Sequence, residues 1–231
     1  MERIRVRTVL VLTALAAGAL PAQAQSVQTP YSHMAPLDEY LIPDRNAEIA
    51  LARSAAPESI SGKAEVMVLG RKGYEIAVRG TNQFVCLVER SWNGAPQFWN
   101  PKIRSPDCLN AAADRSYLPT VLMKTRLALA GKSEAQIAEA VQVAFTQKRL
   151  VPPAVGAMSY MMSKRGYLND QAGHWHPHVM FFAPLAMGRA WGANLSGSPI
   201  ISNDDTLDRL TIFMIPVASW SDGTPDSNAG R

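Results

Sequence analysis

The pattern of apolar and polar residues is most regular between positions 63 and 92, where it predicts β-structure. Three apolar, β-branched runs at 66–69, 74–78 and 84–88 are separated by short turns that contain glycine or asparagine. Turns of this length and composition typically join neighbouring antiparallel strands. The sequence therefore predicts a three-stranded antiparallel meander in the N-terminal half of the chain.

Apolar residues at helical spacing predict three helices, at 44–55, 117–130 and 134–149. Asp44 is a typical N-cap residue for the first helix. Ser116 could cap the second helix, and Gly131 could end it. The third begins with a capping-box pattern, in which Ser133 is followed three residues later by Gln136.

Three further strands are predicted in the C-terminal half, at 157–163, 176–183 and 209–217. The run 157–163 is ambiguous, because its methionines fit helical spacing while alternate residues also fit a strand. The diproline before this run and the turn-like residues after it favour a strand. Together these elements predict an α+β fold, with a largely antiparallel sheet and about three helices packed on one face.

The first 24 residues are typical of a cleavable secretory signal peptide. Arg3, Arg5 and Arg7 form a basic start, residues 8–20 are apolar, and a small-residue site ends at Ala24. The alternative is a retained anchor, but the apolar run is shorter than the ~20 residues that a membrane span needs. We expect cleavage after Ala24 and a periplasmic or secreted location.

The remaining chain is expected to form a single domain that is soluble, because no later stretch has membrane-spanning length. Residues 25–43 predict an extended N-terminal arm, 44–220 one α+β domain, and 221–231 a flexible tail. Cys86 and Cys108 are the two cysteines of the chain. Export favours a disulfide between them. Closing a loop of this length would stabilise the fold by about 3 kcal/mol.

The charge balance gives little support to nucleic-acid binding. The whole chain has 23 Lys and Arg against 19 Asp and Glu. The signal peptide contains three of the arginines and one glutamate, which leaves 20 basic and 18 acidic residues. The basic residues are interleaved with acidic ones and form no stripe that could follow a phosphate backbone.

Three of the four histidines, His174, His176 and His178, occur within five residues. In a strand they would share one face, with successive Cα atoms about 6.5–7 Å apart and the three spanning about 13 Å. One metal ion could therefore bind two of them, and a ligand from 158–170 or 203–208 would complete the site. All three histidines could bind one ion only if Pro177 bends the chain. Imidazole suits Cu and Zn, and Met180 on the same face favours Cu. The stretch predicts a transition-metal site.

Two other functions are compatible with this stretch. One histidine could act as a general base in a hydrolase-like enzyme, oriented by Asp170, Asp204 or Asp205. No Gly-x-Ser-x-Gly motif is present, and no serine is singled out as a nucleophile. Alternatively, the histidines could form a structural hydrogen-bonding cluster.

The loop 91–107 holds Trp92, Phe98 and Trp99. Its aromatic residues would more commonly pack over the sheet than form a ligand lid. If they are exposed instead, the protein could be a metal-free interaction module of the cell envelope. A small ligand or a metal ion is thus the partner that the sequence favours, and no protein partner is indicated.

Overall fold

The computed structural model describes residues 31–94 and 96–227, and it has an α+β fold. The predicted signal peptide 1–24, residues 25–30 of the predicted arm and residues 228–231 of the predicted tail lie outside the described residues. Within the described part, none of the helices is both long and apolar enough to cross a membrane. The strands are β1 Glu65–Gly70, β2 Gly73–Val78, β3 Val85–Glu89, β4 Ser105–Leu109, β5 Met158–Met161, β6 His178–Pro184, β7 Ile201–Asp205 and β8 Leu210–Pro216. The helices are α1 Arg45–Arg53, α2 Glu58–Ser61, α3 Ala111–Ser116, α4 Leu118–Leu129 and α5 Glu134–Thr146.

All eight strands form one sheet in the order β2-β1-β3-β4-β5-β6-β8-β7. Every neighbouring pair is antiparallel except β1 and β3, which are parallel. The predicted fold class, an α+β fold with a largely antiparallel sheet and one disulfide, is confirmed. The fold buries a core on both faces of the sheet.

The predicted N-terminal meander is wrong in its strand order. The third strand, β3, does not lie beside β2 but passes β1 and pairs with it in parallel. The chain crosses the start of β1 at Gly80, where an added Cβ would lie 2.1 Å from the backbone nitrogen of Glu65. A hydrogen bond of 2.8 Å from the Thr81 amide to the Lys63 carbonyl fixes this crossing. The composition of a turn indicates that the chain reverses there, but it does not determine which strands pair in the sheet.

Strand β4 overlaps the end of the segment 91–107, which was expected to be a loop, and it contains a proline, Pro106, a residue that is uncommon inside a sheet. Pro106 pairs with Val88 of β3. On the other side, β5 pairs only with Cys108 and Leu109, so the missing amide of Pro106 interrupts no ladder. The proline is therefore tolerated within an otherwise regular strand.

Helices cover both faces of the sheet rather than one, which refines the expected arrangement. Ala52 of α1 packs with Val66 and Val88 on the face that carries the cysteines. Val121 of α4 packs with Leu87 on the opposite face. The Asp44 cap and the Ser133–Gln136 capping box form as predicted, whereas Asn110 caps an additional helix, α3, directly before α4.

The predicted disulfide joins Cys86 and Cys108, which are directly opposite each other on β3 and β4. Their Cα atoms are 4.0 Å apart. Because side chains alternate between the two faces of a strand, the neighbours Leu87 and Asp107 point to the other face, the one that α4 covers. The disulfide thus holds together the two strands that carry buried carboxylates on their other face.

Candidate functional site

The three clustered histidines do not line one face of a strand. Strand β6 begins at His178, so His174 and His176 precede it, although the sequence predicted a strand from 176. His178 is 2% exposed, and His174 is exposed to solvent. The histidines therefore lie in different surroundings, and the straight line of three imidazoles does not form.

Each histidine has its own neighbour. The Nδ1 of His176 lies 2.6 Å from the Asp226 carboxylate. The Nδ1 of His178 lies 2.7 Å from the carbonyl oxygen of His176. The ring of His174 packs edge-on against Trp220, with ring centroids 5.6 Å apart. Within residues 31–94 and 96–227, no group of three or more His, Cys, Asp or Glu side chains is arranged to hold a metal ion.

The carboxylates expected to orient a histidine have other roles. Asp170 accepts hydrogen bonds from Tyr31 and Tyr167, and Asp204 accepts one from Thr211. Asp226, which does contact a histidine, lies in the segment expected to be a flexible tail. In that segment the Asp226 amide donates a 2.9 Å hydrogen bond to the carbonyl of Ala218, so the chain folds back onto the domain.

A cavity of about 290 Å³ lies on the sheet face that α3 and α4 cover. Its polar lining contains acidic, amide, phenol and imidazole groups together with one guanidinium and one hydroxyl: Glu89, Asp107, Asp205, Asp208, Asn93, Asn169, Asn203, Tyr117, His178, Arg90 and Ser105. Its apolar lining is rich in methionine and aromatic side chains: Met161, Met180, Met214, Phe182 and Trp175. Of the three histidines, only His178 reaches this cavity.

The sheet register explains why these side chains meet. Asp107 pairs with Leu87, and Glu89 pairs with Ser105, so both carboxylates project from the same face. Met161 pairs with His178 across β5 and β6. Side chains from four adjacent strands therefore converge on one volume, although they are far apart in the sequence.

Glu89 is buried at the cavity wall and is 6% exposed. Its Oε2 lies 3.5 Å from the Tyr117 hydroxyl, and its Oε1 has no hydrogen-bond partner among the described residues. Burial, reinforced by the charge of Asp107, raises the pKa of Glu89 well above its usual range. The Lys124 ammonium lowers this pKa in part, but burial dominates and favours the protonated carboxyl.

Asp107 is completely buried, with no exposed surface. Burial raises its pKa to about 7, although the Ser159 hydroxyl and the Cys108 backbone amide offset part of the rise. In the described part of the chain, neither oxygen of Asp107 has a partner with hydrogen-bond geometry. Asp107 is thus a carboxyl that can gain or lose a proton near neutral pH.

The third buried carboxylate, Asp208, forms an ion pair with Lys124 of α4, with Nζ and Oδ2 2.6 Å apart. Burial raises the pKa of Asp208, while the Lys124 charge opposes that rise. The second oxygen, Oδ1, lacks a partner among the described residues. Lys124 is therefore the counter-ion of Asp208 and is not available to Glu89 and Asp107 as a direct partner.

His178 differs from these carboxyls because burial lowers its pKa to about 4. The imidazole is therefore neutral at pH 7. Its Nδ1 faces a carbonyl oxygen, which only accepts hydrogen bonds, so Nδ1 carries the proton and Nε2 carries the lone pair. The cavity then combines two carboxyls whose pKa values are raised, that of Asp107 to about 7, with a neutral imidazole.

A second concavity of about 480 Å³ lies along β6 and β8, and it is lined only by apolar residues and glycine. Phe181 and Phe213 contribute to it, and Trp191, at 63% exposed, lies at its side. The aromatic residues Trp92 and Trp99 of the loop after β3 are buried. The favoured interpretation of that loop, that it packs inward, is therefore confirmed. Unlike the apolar concavity, the methionine-rich cavity is lined by buried ionisable groups.

No protein family profile matches the chain, and comparison with curated proteins and with solved structures finds no significant match.

Glu89, Asp107 and Asp208 were not predicted as site residues. The signal for Glu89 was a charged residue at the end of the apolar run 84–88, which predicts either a strand end or a buried acid. Asp107 had a weaker signal, since the proline before it disfavoured a strand. The histidines are clustered in the sequence, whereas the site is formed by residues that lie on different strands.

Proposed function

We propose that the protein is an exported acid–base enzyme that binds a small organic molecule in the methionine-rich cavity. One observation supports this above all: one cavity contains buried ionisable groups whose pKa values are shifted in opposite directions. Separated pKa values in one site are typical of acid–base catalysis. A hydrolase is the simplest enzyme of this type, and it was one of the alternatives suggested by the sequence.

Glu89 is the proposed general acid, because burial raises the pKa of its carboxyl well above the usual range and so favours the protonated form. Asp107 is the proposed general base, since a base is most effective when its pKa, here about 7, lies near the working pH. His178 is too weak a base for that role, and we assign its Nε2 to accepting a hydrogen bond from the bound molecule. This assignment moves the base from the histidine stretch at the start of β6 to Asp107 on β4, two strands away in the sheet.

The first test needs no substrate. Carbon-13 NMR of the carboxyl groups should show that Asp107 titrates near pH 7 and that Glu89 titrates well above the usual carboxyl range, and Asp107→Asn and Glu89→Gln should each remove the corresponding signal. Because the two groups interact, the two apparent pKa values belong to the pair. Two carboxyls that titrate near 4 would contradict the proposed acid and base.

The second test is turnover. The purified protein should be screened on chromogenic esters, glycosides, amides and phosphoesters, with each reaction followed from pH 5 to pH 9. Activity should rise through pH 7 as Asp107 ionises and fall when Glu89 loses its proton. A substrate whose turnover is flat across this range, or is unchanged in Asp107→Asn, would contradict the mechanism.

Transition-metal binding by His174, His176 and His178 stays a separate prediction. It can be tested by adding Cu or Zn at micromolar concentration and measuring bound metal by elemental analysis in the wild type and in a His176→Ala, His178→Ala double variant. Metal uptake that the double variant loses would support it. The absence of uptake by the wild type would contradict it.

Export is also a proposal, and it is based on the N-terminal sequence. Expression of the full chain in a bacterial host, followed by fractionation and intact-mass measurement, would test it. We expect a periplasmic or secreted product that begins at Gln25. A product that retains residues 1–24 in the cytoplasm would contradict it.

A further inference from the structure

The walls of the methionine-rich cavity carry more buried hydrogen-bond acceptors than the protein satisfies. Among the described residues, Glu89 Oε1 and Asp208 Oδ1 have no hydrogen-bond partner, and the Asp107 oxygens have the Ser159 hydroxyl and the Cys108 amide nearby but outside hydrogen-bond geometry. Burying a polar group without a partner costs free energy, so such groups indicate a bound molecule that supplies the missing donors.

Asn93 gives independent evidence, because it is not ionisable. It is 7% exposed and lines the cavity. Its amide nitrogen and its amide oxygen both lack a hydrogen-bond partner in the described part of the chain. A buried amide of this kind can donate one hydrogen bond to a ligand and accept another.

The cations near the cavity already have partners. Arg90 is buried and paired with Glu48 at 2.9 Å, and it also donates to the backbone carbonyls of Tyr40 and Val88. Lys124 is paired with Asp208. In the described residues, Glu89, Asp107 and Asp205 form no ion pair, so the cavity has an excess of acidic groups.

The remaining lining suits an organic cation. Trp175, Tyr117 and Phe182 provide aromatic surfaces, and Tyr117 and Phe182 stack with ring centroids 4.6 Å apart. Aromatic faces attract ammonium groups, most strongly when water is excluded. Met161 and Met180 provide soft, adaptable apolar contacts for the body of the molecule.

We propose that the ligand of this cavity is a small organic amine in its ammonium form, bound by Glu89 and Asp107. The inference rests on the proposed function, since it assumes that the cavity binds a small molecule. The volume of about 290 Å³ lies at the lower end of ligand pockets, which span ~300–1,000 Å³. A single-ring or short-chain amine is therefore the expected size.

Binding is coupled to proton release. Below about pH 7 the empty cavity holds a proton on Asp107. An incoming ammonium favours the ionised carboxylate of Asp107 and displaces this proton, while Glu89 accepts a hydrogen bond from the ammonium through its carbonyl oxygen. The other ionisable groups that surround the pair are Tyr117, Lys124, Arg90, His178, Asp205 and Asp208. The neutral His178 and the paired Lys124 and Arg90 add no free positive charge that would oppose the ligand.

The test compares amines with neutral molecules of the same shape. Benzylamine and butylamine are matched with benzyl alcohol and butanol, and binding is measured by calorimetry and by the NMR shifts of Trp175 and His178. We expect the amines to bind at least tenfold more tightly at pH 8 than at pH 5.5, because one linked proton gives up to about tenfold per pH unit. Calorimetry in buffers of different ionisation enthalpy should show about one proton released.

Glu89→Gln and Asp107→Asn should each weaken amine binding by tenfold or more, and Asp107→Asn should also abolish the proton release. Both variants are isosteric and remove a buried acid, so they are expected to fold, which thermal unfolding will check. Glu75→Gln, at an exposed position on β2, is the control and should bind as the wild type does.

The outcomes separate the two proposals. If the alcohols shift Trp175 and His178 as strongly as the amines do, or if amine affinity is independent of pH, the cavity binds small molecules but the ammonium inference is wrong. If neither amines nor alcohols shift these residues at millimolar concentration, both the inference and the proposed binding role of the cavity are wrong.

Discussion

The ring of His178 is fixed by the backbone of His176, since its Nδ1 lies 2.7 Å from that carbonyl oxygen. His176 in turn contacts the carboxylate of Asp226 through its own Nδ1, at 2.6 Å. A series of contacts therefore leads from Asp226 through His176 to His178, which lines the cavity. His178 is the last group of this series, and its Nε2 is the unprotonated nitrogen.

His178 should remain a neutral, Nδ1-protonated imidazole from pH 8 down to about pH 5. Burial lowers its pKa to about 4, so it should not titrate near the ordinary value of 6.5. Long-range proton–nitrogen NMR spectra distinguish the two tautomers, and His178→Gln would assign the signals. A titration midpoint near 6.5, or an Nε2-protonated ring, would contradict this prediction.

Asp107→Asn should stabilise the protein increasingly as the pH rises. The pKa of Asp107 is 3.8 when unperturbed and about 7 in the folded protein, so between these values the folded state holds a proton that the unfolded state has lost. The wild type therefore loses stability relative to the variant from about pH 4 to pH 7, by on the order of 1 kcal/mol per pH unit. Above pH 7 the difference should level off.

Urea unfolding of both proteins at pH 5, 6, 7 and 8 would measure this difference. His178 has the opposite effect, because its lowered pKa makes the fold less stable as the pH falls from about 6.5 towards 4. The comparison between wild type and variant cancels that contribution. A difference in unfolding free energy that is constant from pH 5 to pH 8 would show that the pKa of Asp107 is not raised.

Lys124→Met should destabilise the fold by about 3–5 kcal/mol, because it leaves the buried Asp208 carboxylate without its cation. The loss should be smaller at pH 5 than at pH 8, since the raised pKa of Asp208 allows it to take up a proton. The double variant Lys124→Met, Asp208→Asn should recover much of the stability. Additive losses for the two substitutions would mean that the pair is not coupled.

Local sequence patterns predicted the parts of this fold that depend on local contacts. The Ser133–Gln136 capping box and the Asp44 cap form within one helical turn, and both were predicted. The disulfide between Cys86 and Cys108 was inferred from the expected compartment and the presence of only two cysteines. None of these required knowledge of how distant strands pair.

The site was only partly predictable, because it is built from long-range pairing. The sequence directed attention to three histidines in five residues, and only His178 lines the cavity. Asp107 and Glu89 come together through the β3–β4 register, and Asp226 reaches His176 across 50 residues. Residues separated in this way leave no local pattern, so a cluster in sequence was taken for a cluster in space.

Gly80→Ala should destabilise the protein strongly, because the strand order depends on the chain crossing close to β1 at this position. An added Cβ would lie 2.1 Å from the Glu65 nitrogen and 2.7 Å from the Ala64 carbonyl carbon, both of which are backbone atoms that cannot move aside cheaply. We expect a loss of at least about 2 kcal/mol, within the range of strongly destabilising substitutions.

Gly70→Ala is the matched control for this substitution. Gly70 is the last residue of β1, and the nearest atom to its added Cβ is 3.5 Å away, which is an ordinary contact. Urea unfolding should therefore show a much smaller change for Gly70→Ala. If the two variants lose similar stability, the close crossing at Gly80 does not determine the parallel pairing of β1 and β3.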